Sequence, residues 1–205
     1  LDRSIKGFLN QSDEYLNKIY HREEDINNVS HAITDYLVKS NQLSLPLADQ
    51  KILGSMFYVV NDIERIGDHA ENFADYTKTE LKHNTGLTGD AKEEIKKMYE
   101  AVSKLLKLSL ESFMAQDGVN TQEDKLAEIA ALEASIDKME RRYQKHHIKR
   151  LAKGDCEPRA GLLFSDMLSE LERIADHSVN IAYSMSDEDE DEMLAAENEA
   201  LATNN

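Results

Sequence analysis

The chain has 205 residues, a formal net charge of −16 and one cysteine, Cys156. Such acidity leaves no basic footprint for nucleic acid, a lone cysteine allows no internal disulfide framework and fits a reducing compartment, and no apolar run approaches the roughly 18 residues of a membrane helix. With two prolines, no tryptophan and abundant Ala, Leu, Glu and Lys, the expected fold class is all-α; no signal peptide is visible, and a cytoplasmic location is expected.

Residues 1–10 form a short apolar piece with Ile5, Phe8 and Leu9. The spacing predicts a helix over about 12–39, with Ser12 as N-cap and Leu16, Ile19, Ile26, Val29, Ile33 and Leu37 turned inward. The connector SNQLSLPLAD leads into a helix over about 46–83, with Pro46 in its first turn. HNTGLTGD, with two glycines, is the strongest break. A third helix follows to about Gln116, capped by Asp90 with Glu93 and ended by Asp117-Gly118; its inner face is Ile95, Met98, Val102, Leu105, Leu106, Leu110 and Phe113. Thr121 with Asp124 opens a fourth, about 121–153, which Gly154 closes, and Pro158 starts a fifth, about 157–186. The acids of DEDEDE repel one another, so residues 188–205 are expected to be a flexible acidic tail.

A repeat organises this order. Asn61–Ala74 reads NDIERIGDHAENFA, and Ser169–Ala182, 108 residues further on, reads SELERIADHSVNIA, with seven identities and no gap. Asp62/Glu170, Ile63/Leu171 and Gly67/Ala175 are mild exchanges. Within each copy Glu64, Asp68 and Asn72, or Glu172, Asp176 and Asn180, are four apart. They therefore stack on one helix face. Arg65 and Arg173 are expected to point away from that stripe. A stacked Glu–Asp pair repels itself, and a hard cation such as Mg, Ca, Mn or Fe suits it; the bland alternative is a solvated charged face. Two matched copies beside an apolar stripe favour the ion.

ERIGDH and ERIADH, each carrying Glu-x-x-x-Asp in its own repeat, resemble the PhoU domain family. The resemblance covers about residues 12–186. It implies a regulator of phosphate transport, built as two antiparallel three-helix bundles whose acidic motifs hold iron or zinc. Residues 1–84 would be the first repeat, with its first helix truncated or missing, and 85–187 the second. The family has two settings: a free-standing regulator of the phosphate ABC transporter and its sensor kinase, or the cytosolic C-terminal domain of a sodium/phosphate symporter. The first residue is not Met, the first repeat is short of a helix, and the wording EEDINNVSHAITDYL…VVNDIERIGDHAENFADY looks more like the symporter branch, so that setting is the expectation. A homo-oligomer is among the expected partners.

Facing helices of a bundle build shared sites. The helix before the second motif carries Glu133 and Asp137, and its counterpart carries Glu23 with Asn27 where Asp137 stands, aligning Ile26 with Ile136. This departs from the family's acidic pattern. The expected metal ligands are thus Glu64, Asp68 and Glu23 in a weaker site, and Glu172, Asp176, Glu133 and Asp137 in a stronger one. His69 and His177 turn about 100° off the stripe, where bonding to a neighbouring helix and metal ligation are equally open to them. A di-iron carboxylate enzyme is the rival class, but the chain has one Glu-x-x-His, Glu80 with His83, and no phosphate-cradling glycine loop. No catalytic residue and no organic cofactor are expected. Arg141-Arg142 and His146-His147 read as solvated helix faces.

Overall fold

The computed structural model describes residues 1–83, 87–115 and 119–184, without the side chains of 119–122. Within them the chain is all-α: α1 (Asp2–Leu9), α2 (Leu16–Ser40), α3 (Leu47–His83), α4 (Gly89–Met114), α5 (Val119–Lys153) and α6 (Pro158–Tyr183). The expected Asp117-Gly118 stop, part of the glycine-rich break and the acidic tail lie outside the described residues, as does the Thr121 side chain. None of the described helices is long and apolar enough to cross a membrane.

Local chemistry sets most boundaries. Pro158 occupies the first turn of α6, where its missing N–H costs nothing. Gly154 ends α5 at φ +74°, a conformation that carries no Cβ penalty in glycine. Two caps differ from expectation. The Thr88 hydroxyl, not Asp90, accepts from the Ala91 N–H at the start of α4. Ser12 accepts from the Glu14 N–H within a turn, so α2 starts later, after Tyr15.

The hairpin α2–α3 packs on α1 and, through α3, on α6, while α4, α5 and α6 pack on one another. The second motif lies in the best-covered helix: Leu163, Phe164, Met167, Leu168, Leu171 and Ile174 of α6 are all buried, against Ile95, Met98, Val102 and Leu105 of α4. The same core takes in Ile5, Phe8 and Phe73, and so runs without a break from α1 and α3 into the second repeat.

The two motif helices differ on their outer side. Leu171 is fully buried under α4, whereas its counterpart Ile63 is 38% exposed. Val29 and Ile33 of α2, expected to face inward, are exposed for the same reason. Where α4 lies over the second repeat, the first repeat has only the eight residues of α1. A groove of about 540 Å³ remains where α2 and α3 meet α1 and α4, lined by Leu1, Ile19, Ile26, Ile63 and Leu110 among others.

A reciprocal clamp and two acidic stripes

The motif positions divide into three faces. Ile66/Ile174 and Ala74/Ala182 pack into or against the core. The histidines face the neighbouring motif helix. His69 Nδ1 lies 2.6 Å from Glu170 Oε2, and His177 Nδ1 lies 2.7 Å from Asp62 Oδ1. An ionised carboxylate only accepts, so Nδ1 is the donor in both bonds. Asn72 Nδ2 donates to the same Glu170 oxygen at 3.1 Å, and Asn180 Nδ2 to the same Asp62 oxygen at 3.4 Å. Each carboxylate of one repeat is thus held by the His and Asn of the other. The two imidazoles stack between them, with centroids 5.5 Å apart and planes 24° apart.

The clamp is not quite symmetric. Tyr76 Oη also donates to Glu170, at 3.1 Å, and pseudo-equivalent Ser184 has turned to the Ile181 carbonyl. Burial pushes the Glu170 carboxyl up, but the bonds from His69 and Asn72 outweigh it and hold the group below its ordinary range. Burial, reinforced by the Glu170 charge, drives the Tyr76 phenol up. Asp62, Glu170 and Tyr76 were not among the expected site residues. The signal was there, since positions 62 and 170 are both acidic and stand seven residues, two helical turns, before His69 and His177.

The third face is the acidic stripe. In the second repeat, α5 and α6 bring Glu133, Asp137, Glu172 and Asp176 within one electrostatic neighbourhood. Burial first, then Asp137 and Asp176, push the Glu133 carboxyl up. Burial first, then Asp176, Glu140 and Asp137, do the same to Glu172. Asp176 is raised by burial and by Asp137. Asp137 has a partner of its own, Arg141 at 3.2 Å. Among the described residues no three His, Cys, Asp or Glu side chains are gathered closely enough to hold a metal ion. The second stripe therefore has the donor chemistry of a cation site, hard oxygen ligands that repel one another, with its carboxylates spread wider than a ligand shell.

The first stripe is different. Arg65 does not point away: it lies 3.7 Å from Glu64 and 3.5 Å from Asp68, so a cation of the chain's own already sits on the pair. Glu23 accepts from the Asn27 amide on its own helix. It stands near enough to Glu71 that burial, Glu23, Asp75 and Asp68 together raise that carboxyl. Glu71 was not among the expected residues.

Of the paired basic residues of α5, Arg141 and Arg142 are exposed as expected, but His146 and His147 are not a solvated face. His146 Nδ1 bonds Glu94 Oε1 at 2.6 Å, and Arg150 reaches Glu94 Oε2 at 2.9 Å, tying α5 to α4. His147 is buried against Phe164. Arg142 lies over the Tyr143 ring and Arg141 serves Asp137. Glu80, half of the Glu-x-x-His pair, is buried and accepts from Gln11.

Comparison with known proteins agrees with this geometry. The sequence profile of the PhoU domain matches residues 1–77 and 95–185. A Thermotoga maritima protein, phosphate-specific transport system accessory protein PhoU homolog 1, is 24% identical over 136 residues, which is 63% of this chain and 56% of that protein's length. Among solved structures, PhoU from Pseudomonas aeruginosa superposes with a TM-score of 0.77 at 21% identity, over 89% of this chain and 85% of that one. The phosphate transport system regulatory protein PhoU from Streptococcus pneumoniae gives 0.75 at 22% identity, over 91% and 86%. With both repeats matched by the profile and the helical bundle shared, the chain belongs to the PhoU domain family.

Proposed function

We propose that the chain is a regulatory, non-catalytic domain that adjusts phosphate transport, acting as a separate accessory protein on a phosphate transporter. The observation that carries this reading is the family match across both repeats, with both copies of the motif inside it. The similar proteins are described as accessory and regulatory proteins of phosphate transport systems. Attachment to a sodium/phosphate symporter, the setting expected from the wording of the motif, draws no support from them. Residues 1–84 and 85–187 act in this reading as one unit, with 188–205 as an acidic extension.

The test is uptake of labelled phosphate by cells with and without the gene, at low and high external phosphate. Loss of the adjustment to supply is the expected result; unchanged uptake in both conditions overturns the reading. Affinity capture from solubilised membranes then separates the settings, since an ABC transporter or a sensor kinase recovered with the protein supports the accessory role.

The second acidic stripe is proposed as the cation site of this regulator, with Glu133, Asp137, Glu172 and Asp176 as ligands and iron or zinc as the ion. The raised carboxyls support it, because burial together with neighbouring carboxylates favours either a proton or a cation. Glu64, Asp68 and Glu23 make the weaker site, since Arg65 must first be displaced. Melting with and without Fe, Zn or Mn tests both. Stabilisation by metal should vanish in Asp176→Asn and persist largely in Asp68→Asn. A response lost equally in both variants, or absent from the unaltered protein, sinks the assignment.

A further inference from the structure

Near the end of α2 the first repeat buries an aliphatic side chain, Leu37. In the alignment that pairs Ile26 with Ile136, the second repeat has His147 at that position. His147 is 6% exposed, so a titratable ring fills a place that an aliphatic side chain fills in the sister repeat. Packing alone did not require it.

Its surroundings suit only the neutral form. The ring lies against Phe164 of α6, centroids 5.4 Å apart. It also lies so close to Gly161 that a Cβ there would stand 2.4 Å from Cε1 and 2.6 Å from Nε2. Nδ1 is buried with no hydrogen-bond partner. The charged groups around the ring are Arg150 on α5 and Glu94 on α4; from α6, Gly161 and Phe164 offer none. His146, next in sequence, is turned to α4. Glu94 favours a proton on the ring, but its charge is already shared between His146, bonded to Oε1, and Arg150, ion-paired with Oε2. A protonated His147 would be a buried cation beside Arg150, with a donor added where the ring's Nδ1 has no partner. Such groups are costly.

We propose that His147 is an acid-sensitive latch between α5 and α6: the neutral ring closes the seam over Gly161, and protonation loosens the first turns of α6. Burial, then Arg150, already lowers its proton affinity, in the direction this requires. A lowered histidine binds its proton more readily in the unfolded chain. Its contribution to stability is therefore complete above the ordinary value of 6.5 and shrinks as pH falls through it.

The experiment compares melting of the unaltered protein and His147→Gln between pH 7.5 and 5.5, with backbone amide exchange of Gly161–Phe164 followed over the same range. The unaltered protein should lose about 2–4 °C more than the variant. Exchange at Gly161–Phe164, corrected for intrinsic rates, should rise about tenfold at the lower pH. Equal acid losses in the two proteins overturn the proposal. If His147→Gln does not fold, His147→Leu, which copies the first repeat, replaces it. Independently of any variant, a His147 ring that titrates at 6.5 or above while the Gly161–Phe164 amides keep their protection overturns it too.

Discussion

Glu170 takes three side-chain donors and Asp62 takes two, and the difference should be measurable. Removing the charge by Glu170→Gln leaves His69, Asn72 and Tyr76 around a weaker acceptor and should cost about 1–3 kcal/mol in urea unfolding. Asp62→Asn should cost less. The pH sign follows from the depressed Glu170 carboxyl: its contribution is whole above the ordinary value of 4.5 and is lost as pH falls through the folded value. The extra cost of Glu170→Gln should therefore fade in acid. Asp176 behaves oppositely. Its carboxyl is raised, so its charge weakens the fold once pH rises above the ordinary 3.8. Without metal, Asp176→Asn should melt above the unaltered protein at pH 7 and level with it near pH 3. The carboxylates of the stripe were legible because residues four apart share a face, but Asn72 and Asn180, expected on the same stripe, reach the clamp instead. The clamp was half legible: the histidines were placed off the stripe, but a sequence does not say which helix they meet. Arg65 was misplaced because a long side chain reaches back over its own turn whatever direction its Cα–Cβ bond takes.

At the scale of the element, apolar spacing located all five long helices, and burial then decided which apolar faces were used. α2 has the stripe of an inward helix, yet Val29 and Ile33 remain exposed, because periodicity states that a face is apolar and not that something covers it. The start of α2 moved for a local reason: the chain passes through Gln11 at φ +50° and Ser12 closes a turn, so helical geometry begins only after Tyr15. The α5–α6 pair carries a sharper test. Gly161→Ala gains roughly 1 kcal/mol of helix propensity in an exposed helix. Here the added Cβ meets the His147 ring, and the net effect should be a loss of about 1–3 kcal/mol. His147→Ala made together with Gly161→Ala should recover part of that loss. A double-mutant cycle by chemical denaturation measures the coupling, which should be far from additive.

For the molecule as a whole, the continuous core predicts one unfolding event rather than two. Phe73 of α3 is fully buried in the cluster that α4, α5 and α6 share. Phe73→Ala should cost about 3–5 kcal/mol and should lower amide protection in α6 as much as in α3. Separate melting of the two repeats would show that the shared core does not couple them. The repeat itself, and hence the two-bundle plan, was plain in the sequence; the shared core was not, because it joins residues about 100 apart that no periodicity relates. The clamp carries one more consequence. Each partner gives what it receives, carboxylate for histidine plus amide, which is the bonding pattern of an isologous contact between identical subunits about a twofold axis. Two copies of residues 87–184 present both halves of that contact, Glu170 with His177 and Asn180. Expressed alone, that half has the chemistry to pair with itself, making a homodimer in place of the tandem fusion.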